Sequence, residues 1–140
     1  MIQYEKVNGN FDLTGKAAIV VGGAGGIGEA TAQMYARKGA RVAIVDCKDN
    51  CPEVAAKIAE EFGVQVIGVK CDVTSQESVD AMMKAVLEAF GEINILAAMP
   101  GFVDLYRASD ISIATIEKHM SINAVGVFRV CQAVANQMIK

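Results

Sequence analysis

Val20-Val21-Gly22-Gly23-Ala24-Gly25-Gly26-Ile27-Gly28 is the stretch that decides how this chain folds. It follows the apolar run Ala17-Ala18-Ile19 and leads into Glu29-Ala30-Thr31-Ala32-Gln33-Met34-Tyr35-Ala36-Arg37-Lys38, a segment of helix-forming composition. A strand, a glycine turn and a helix start, in that order, make an anion cradle. The turn exposes backbone N–H groups, and the positive end of the helix macrodipole points at the same spot. Glycine there lets the main chain approach a pyrophosphate where any Cβ would collide. The stretch therefore predicts a nucleotide-cofactor site.

The glycines can be read in two registers. Gly23, Gly25 and Gly28 fit G-x-G-x-x-G literally, whereas Gly22, Gly26 and Gly28 fit G-x-x-x-G-x-G. A glycine-rich turn that binds nothing is the competing reading, and the next segment weighs against it. The apolar run Arg41-Val42-Ala43-Ile44-Val45 closes on Asp46. That places a carboxylate about 20 residues beyond the glycines, where it can accept hydrogen bonds from the adenosine ribose hydroxyls.

Length and composition narrow the rest. A chain of 140 residues reads as one domain, 1–140, with residues 1–12 as an N-terminal extension. It is long enough to bury roughly two-thirds of its unfolded surface. The apolar fraction is 53%, yet no uncharged apolar stretch approaches the roughly 20 residues a membrane span needs. The start, Met1-Ile2-Gln3-Tyr4-Glu5-Lys6, lacks a basic segment followed by an apolar one, so no secretory signal is visible. A net charge of -3 without basic blocks argues against nucleic acid as a partner. Of the cysteines, Cys71 and Cys131 read as small core residues, and Cys47 and Cys51 as loop thiols. No C-x-x-C pair occurs and His119 is the one imidazole, which excludes a recognisable zinc site. A reducing cytoplasm fits this cysteine usage.

Strand and helix patterns alternate along the chain, which predicts an α/β sheet. Strands are expected at Ala17–Val21, Arg41–Val45, Gln65–Lys70 and Ile93–Ala98, each short and mostly apolar, as strands covered on both faces should be. The first helix is expected from near Gly26 to Gly39, and the second from Pro52 in its first turn to Gly63. The third opens with Thr74-Ser75-Gln76-Glu77, which has capping-box spacing, and ends at Gly91. Its Val79, Met82, Met83, Val86, Leu87 and Phe90 repeat with the rhythm of one buried face. After a longer loop from Met99 to Asp110, one continuous helix is expected from near Ser112 to the chain end. Its stripe is Ile116, Met120, Val127, Val130, Cys131, Val134 and Met138. Right-handed crossovers then give a doubly wound parallel sheet of order 3-2-1-4, with a crevice at the carboxyl ends of strands 1 and 4.

Three polar residues stand out. Asp72 directly follows the third strand. Its carboxylate can accept from an adenine amino group while Val73 packs on the ring, or it can simply help to start the next helix. Asn123 falls on the apolar stripe of the last helix, where a buried amide needs a partner. It can bond neighbouring main chain, or order water or substrate at the crevice floor. His119 lies beside Glu117 and Lys118 and reads as a solvated or partly packed histidine rather than an acid–base group.

Together these segments resemble the short-chain dehydrogenase/reductase family, from Leu13-Thr14-Gly15-Lys16 to the last helix. The landmarks occur in order: the Gly22/Gly26/Gly28 loop in the family's register, Asp46, Cys71-Asp72-Val73, Gly101, and Asn123 followed by Gly126-Val127-Phe128. The resemblance implies a Rossmann-type fold and a nicotinamide dinucleotide held by Gly22, Gly25, Gly26, Ile27, Gly28, Asp46, Cys47, Asp72, Val73, Ala98 and Gly101. NAD is expected over NADP, because Asp46 would repel a 2′-phosphate. Gly25 also stands where NADP-preferring relatives often carry a basic residue. The resemblance gives Asn123 an assisting part in catalysis, holding a water that relays protons to a lysine.

The departures are as informative. Val21 stands where the family usually has threonine, and Ala98-Met99-Pro100-Gly101 replaces the usual Asn-Asn-Ala-Gly. Gly101 keeps the close backbone approach, whereas Pro100 removes a donor and stiffens the loop. Relatives continue into a fifth strand carrying serine and a helix carrying Tyr-x-x-x-Lys, the tyrosine acting as general acid–base. Here Tyr4, Tyr35 and Tyr106 lack a lysine four residues later, and the sequence closes on Met138-Ile139-Lys140. The chain is thus expected to be the cofactor-binding portion of an NAD-dependent oxidoreductase of alcohols or ketones, a fragment or truncated product unable to transfer hydride alone. The alternative is a non-catalytic nucleotide-binding or interaction module whose exposed strand 4 edge self-associates. A methyltransferase also fits Asp46, but nothing from Asp72 to Asn123 calls for one.

Overall fold

The first residues that fix the architecture are the five of β1 (Ala17–Val21), all buried. A strand buried at every position needs cover on both faces, and the chain supplies it. The computed structural model describes residues 11–140. Of the predicted extension at 1–12, positions 1–10 lie outside the described residues, and the Asp12 carboxylate accepts from the N–H and hydroxyl of Thr14.

The elements follow in strict alternation: β1, α1 (Gly26–Arg37), β2 (Arg41–Asp46), α2 (Cys51–Phe62), β3 (Val66–Lys70), α3 (Gln76–Phe90) and β4 (Ile95–Ala98). The last helical stretch comprises α4 (Ile113–Met120), a π-helical segment (Ser121–Gly126) and α5 (Val127–Met138). The sheet order is β3-β2-β1-β4 and every pair is parallel, the doubly wound arrangement expected. Side chains alternate across it. Ile19, Val21, Ala43 and Val45 pack against α3 and α5 through Val79, Met82, Val86, Val130 and Val134. On the opposite face Val20, Val42 and Ile44 meet Ala32 and Ala36 of α1 and Val54 and Ile58 of α2.

Most helix ends fall where sequence places them. Gly39, Gly63 and Gly91 all take positive φ after their helices. The start of α3 differs by one residue. Asp72 Oδ1 accepts from both the N–H and the hydroxyl of Thr74, so Thr74 is turned backward. Ser75 is the N-cap instead, its hydroxyl accepting from the Ser78 N–H. Cys51 is also corrected. It is a buried first residue of α2, not a loop thiol, and its Sγ donates to the Lys48 carbonyl at 3.2 Å.

The largest difference lies in the last helix. Ser112 caps it as expected, accepting from the Thr115 N–H. A π-helical turn then interrupts the expected continuous helix between Met120 and Val127. Val130 and Val134 are buried, whereas Ile116, Met120 and Met138 of the expected stripe are exposed.

The contact of α2 with β3 is main chain on main chain. A Cβ at Gly68 would lie 2.3 Å from the carbonyl carbon and oxygen of Cys51. Gly68→Ala must push strand and helix apart, an overpacking cost on the order of 1–3 kcal/mol. It should lower the urea midpoint with little change in slope. An unchanged midpoint would refute the close contact.

Candidate functional site

The connections leave β1 and β4 toward opposite faces, and a cleft of about 590 Å³ opens between their carboxyl ends. Four loops and the π segment build it. Gly22, Gly25, Ile27 and Gly28 follow β1; Asp46, Cys47 and Lys48 close β2. Cys71, Asp72 and Val73 follow β3; Met99, Pro100, Gly101 and Phe102 follow β4; Ile122 comes from the π segment. Gly26, Ala98 and Asn123 do not line it.

The glycine turn is tight for reasons of packing. Gly22 has φ +80°, and a Cβ on it would fall 2.6 Å from the Met99 carbonyl oxygen. At Gly28 a Cβ would fall 1.9 Å from the Gly22 carbonyl oxygen, so the start of α1 lies directly on the turn. Gly25 is extended, and a Cβ there meets only the Lys48 ammonium at 3.2 Å. The main chain thus requires glycine at 22 and 28, whereas Gly25 is sterically replaceable. The N–H groups of Gly22 and Gly23 donate to the Val45 carbonyl, and that of Ala24 to Asp46 Oδ2 at 3.1 Å. The next donors belong to the first turn of α1, where no intrahelical acceptor exists. Its N-cap, Gly25, has no side chain to serve them.

Asp46 ties this loop to β2. Besides Ala24, its carboxylate accepts from the Lys48 N–H at 3.3 Å and the Cys47 thiol at 3.6 Å. A carboxylate has about four lone-pair sites, so further donors can be taken. Desolvation, then the Asp46 carboxylate, pushes the Cys47 thiol above its ordinary pKa, which makes it a poor nucleophile. Asp72 is held the other way. The Thr74 hydroxyl, then the Thr74 N–H, keep its carboxyl below the usual range, and Arg129 adds to this. Asp72 therefore does help the chain to turn into α3, while still facing the cleft.

Asn123 is exposed, which corrects the expectation of a buried amide on an apolar stripe. The π turn carries it off that stripe. Its Oδ1 accepts from the Phe102 N–H and its Nδ2 donates to the Phe102 carbonyl, both at 2.8 Å. Neighbouring main chain is thus the partner of this amide. Phe102 is gripped from α4 as well: the Lys118 ammonium lies 4.3 Å from its ring centroid, and His119 meets it edge-on. His119 is half-buried and packed, not solvated, and its Nε2 has no hydrogen-bond partner. Gly101 lines the cleft, and a Cβ there finds no neighbour within 4 Å.

Lys48, Phe102 and Ile122 are cleft residues that sequence reading did not single out, and Met99 and Pro100 were noted only as departures from the family pattern. Lys48 could have been found as the cation two positions after Asp46. Ile122 depends on the π turn and left no signal. Among the described residues no group of three or more His, Cys, Asp or Glu could hold a metal ion, and no helix is long and apolar enough to cross a membrane.

Known proteins share both pattern and fold. The family described as short chain dehydrogenase matches residues 16–140. D-threitol dehydrogenase of Mycolicibacterium smegmatis is 38% identical over all of this chain and 55% of its own length. The NAD-dependent glycerol dehydrogenase of Listeria innocua is 32% identical over 93% of this chain and 50% of its own length. A short-chain type dehydrogenase/reductase from Mycobacterium marinum superposes with a TM-score of 0.88 at 33% identity, over 92% of this chain and 51% of that one. The chain spans about half the length of the relatives it matches. With its sheet order, its glycine turn and its landmarks in sequence, this chain belongs to the short-chain dehydrogenase family.

Proposed function

We propose that residues 13–140 form one dinucleotide-binding unit, the NAD-binding portion of an oxidoreductase acting on an alcohol or ketone. The observation that carries this reading is convergence: the uncapped start of α1, the Asp46 carboxylate and the Asp72-Val73 wall face one cleft. The residues fit the cofactor. Gly22, Gly25, Ile27 and Gly28 line the pyrophosphate cradle, with Gly26 completing the turn outside the lining, and the Lys48 ammonium beside Gly25 offsets the ligand's charge. Asp46 and Cys47 face the adenosine ribose, and Asp72 and Val73 the adenine. Gly101 borders the nicotinamide end, and Ala98, the last residue of β4, leads into that loop from outside the lining. That relatives are named for threitol and for NAD-dependent glycerol oxidation supports a hydroxyl-bearing substrate and NAD.

When bound, the nicotinamide would supply a hydride acceptor or donor. The residues of this chain bind and orient. Asn123 assists by fixing Phe102, and through it the loop that carries Gly101. No tyrosine in the 140 residues precedes a lysine by four positions, so proton transfer at the substrate needs groups this sequence lacks.

A second reading, an interaction module, is favoured by one observation. Among the described residues β4 pairs only with β1, and its apolar residues are merely half-buried. A strand edge of this kind can pair with another copy. Sedimentation velocity over a wide concentration range should show self-association, and a monomer throughout would remove this reading.

Calorimetric titration tests the cofactor assignment. NAD should bind more tightly than NADP, and Asp46→Ala should narrow the difference by about tenfold by removing the charge that opposes a 2′-phosphate. Tighter NADP binding by the unaltered chain would overturn the role given to Asp46.

A further inference from the structure

Arg129 takes no part in the cleft lining, yet it reaches the cleft wall from behind. From the first turn of α5 its Nη1 donates to the Val73 carbonyl, a contact between residues 56 positions apart. Its charge also acts on the Asp72 carboxylate. Gly126, at the end of the π segment, presses on the same residue: a Cβ there would fall 2.6 Å from Val73 Cγ2. Val73 is therefore held by its main chain and its side chain, both from one helical stretch. The preceding residue is fixed as well. The Asp72 N–H donates to the Ser78 hydroxyl at 2.9 Å, and Oδ1 is occupied by Thr74. Asp72 Oδ2 is left as the oxygen that can meet a donor in the cleft.

Resting on the reading that adenine lies against Asp72 and Val73, we propose that Arg129 is a positioning residue that makes this wall selective for a 6-amino purine. A carboxylate only accepts hydrogen bonds. The 6-amino group of adenine donates, whereas the 6-oxo group of hypoxanthine presents an acceptor and is repelled. That discrimination holds only while the carboxylate stays at its place beside the ring. Nothing else from α5 bonds the Val73 carbonyl among the described residues, so Arg129 sets the wall from the helix side. A lysine could keep this donor contact and the charge, though without the planar fork of arginine. A methionine would leave the carbonyl without its partner and free the loop to shift.

The test compares NAD with nicotinamide hypoxanthine dinucleotide, titrated calorimetrically into the 140-residue chain. The unaltered chain should prefer NAD by about tenfold or more, the worth of one hydrogen bond to a charged group. Arg129→Met should bring the two affinities close together, chiefly by weakening NAD. Arg129→Lys should retain part of the preference, and it supplies the readout if Arg129→Met does not fold. Val134→Ala, a core truncation on the same helix, should lower stability and leave the ratio unchanged. An Arg129 variant that weakens both dinucleotides equally, or neither, overturns the positioning role. An unaltered chain that binds NAD without preferring it over the hypoxanthine analogue overturns this inference alone. Failure to bind NAD at all overturns the cofactor reading and this inference with it.

Discussion

The close approach of main chain to main chain at Gly22 is the constraint on which the rest of the structure depends. There the end of β1, the loop after β4 and the first turn of α1 are stacked within van der Waals reach. A single Cβ at 22 or 28 would overlap a carbonyl oxygen. Two consequences follow from that one contact. It brings the uncapped donors of α1 to the seam between β1 and β4, where the crossovers diverge. It also draws the loop from Met99 over the turn, so that the cleft gains a wall. The sheet could tolerate many substitutions among apolar residues of similar size. The turn cannot, because its neighbours are backbone atoms that have no rotamers with which to yield.

How much of this could be read from sequence follows from what each feature is made of. Strands and helix ends were legible because residue types encode them: apolar runs covered on both faces, and Gly39, Gly63 and Gly91 at positive φ. The sheet order followed from the handedness of crossovers and needed no side-chain detail. The π turn at Ser121–Gly126 was not legible. No residue type marks it, and it arises where competing contacts of one helix cannot be met by a regular pitch. The burial of Asn123, which lies inside that turn, was misread with it. The misplaced cap of α3 has a more local origin. Thr74 and Ser75 are both good caps, and only the prior claim of Asp72 on the Thr74 hydroxyl chooses between them.

The loop after β4 shows how the fold tolerates departures from its family's pattern. Met99 and Pro100 supply none of the amides that the family resemblance leads one to expect there, but amides are present nearby. Asn94 Oδ1 accepts from the Ala17 N–H at 2.7 Å, bracing the start of β1 against the entry to β4. Asn123 performs a similar office at the far end, satisfying both polar groups of one peptide residue. Met99, for its part, packs against the apolar cluster of α1 and α2. In this chain the loop is thus held by apolar packing within it and by amide braces on either side. Met99 and Pro100 offer no side-chain polar group to the cleft they line.

One helical stretch controls two distant parts of that cleft, and its irregularity is what makes this possible. Asn123 grips Phe102 at one end, while Gly126 and Arg129 engage Val73 at the other. On a regular α-helix residues 123 and 129 would be separated by about 600° of rotation, or some 120° apart around the axis. The π turn spans the first of them and puts more residues into one turn, which changes the angle between the residues on either side of it. Both contacts are made from the one helical stretch that contains this turn. The irregular turn thus serves both the cleft, through Asn123 and Phe102, and the core, where Ile122 packs and where Val130 and Val134 follow in ordinary α-helical register.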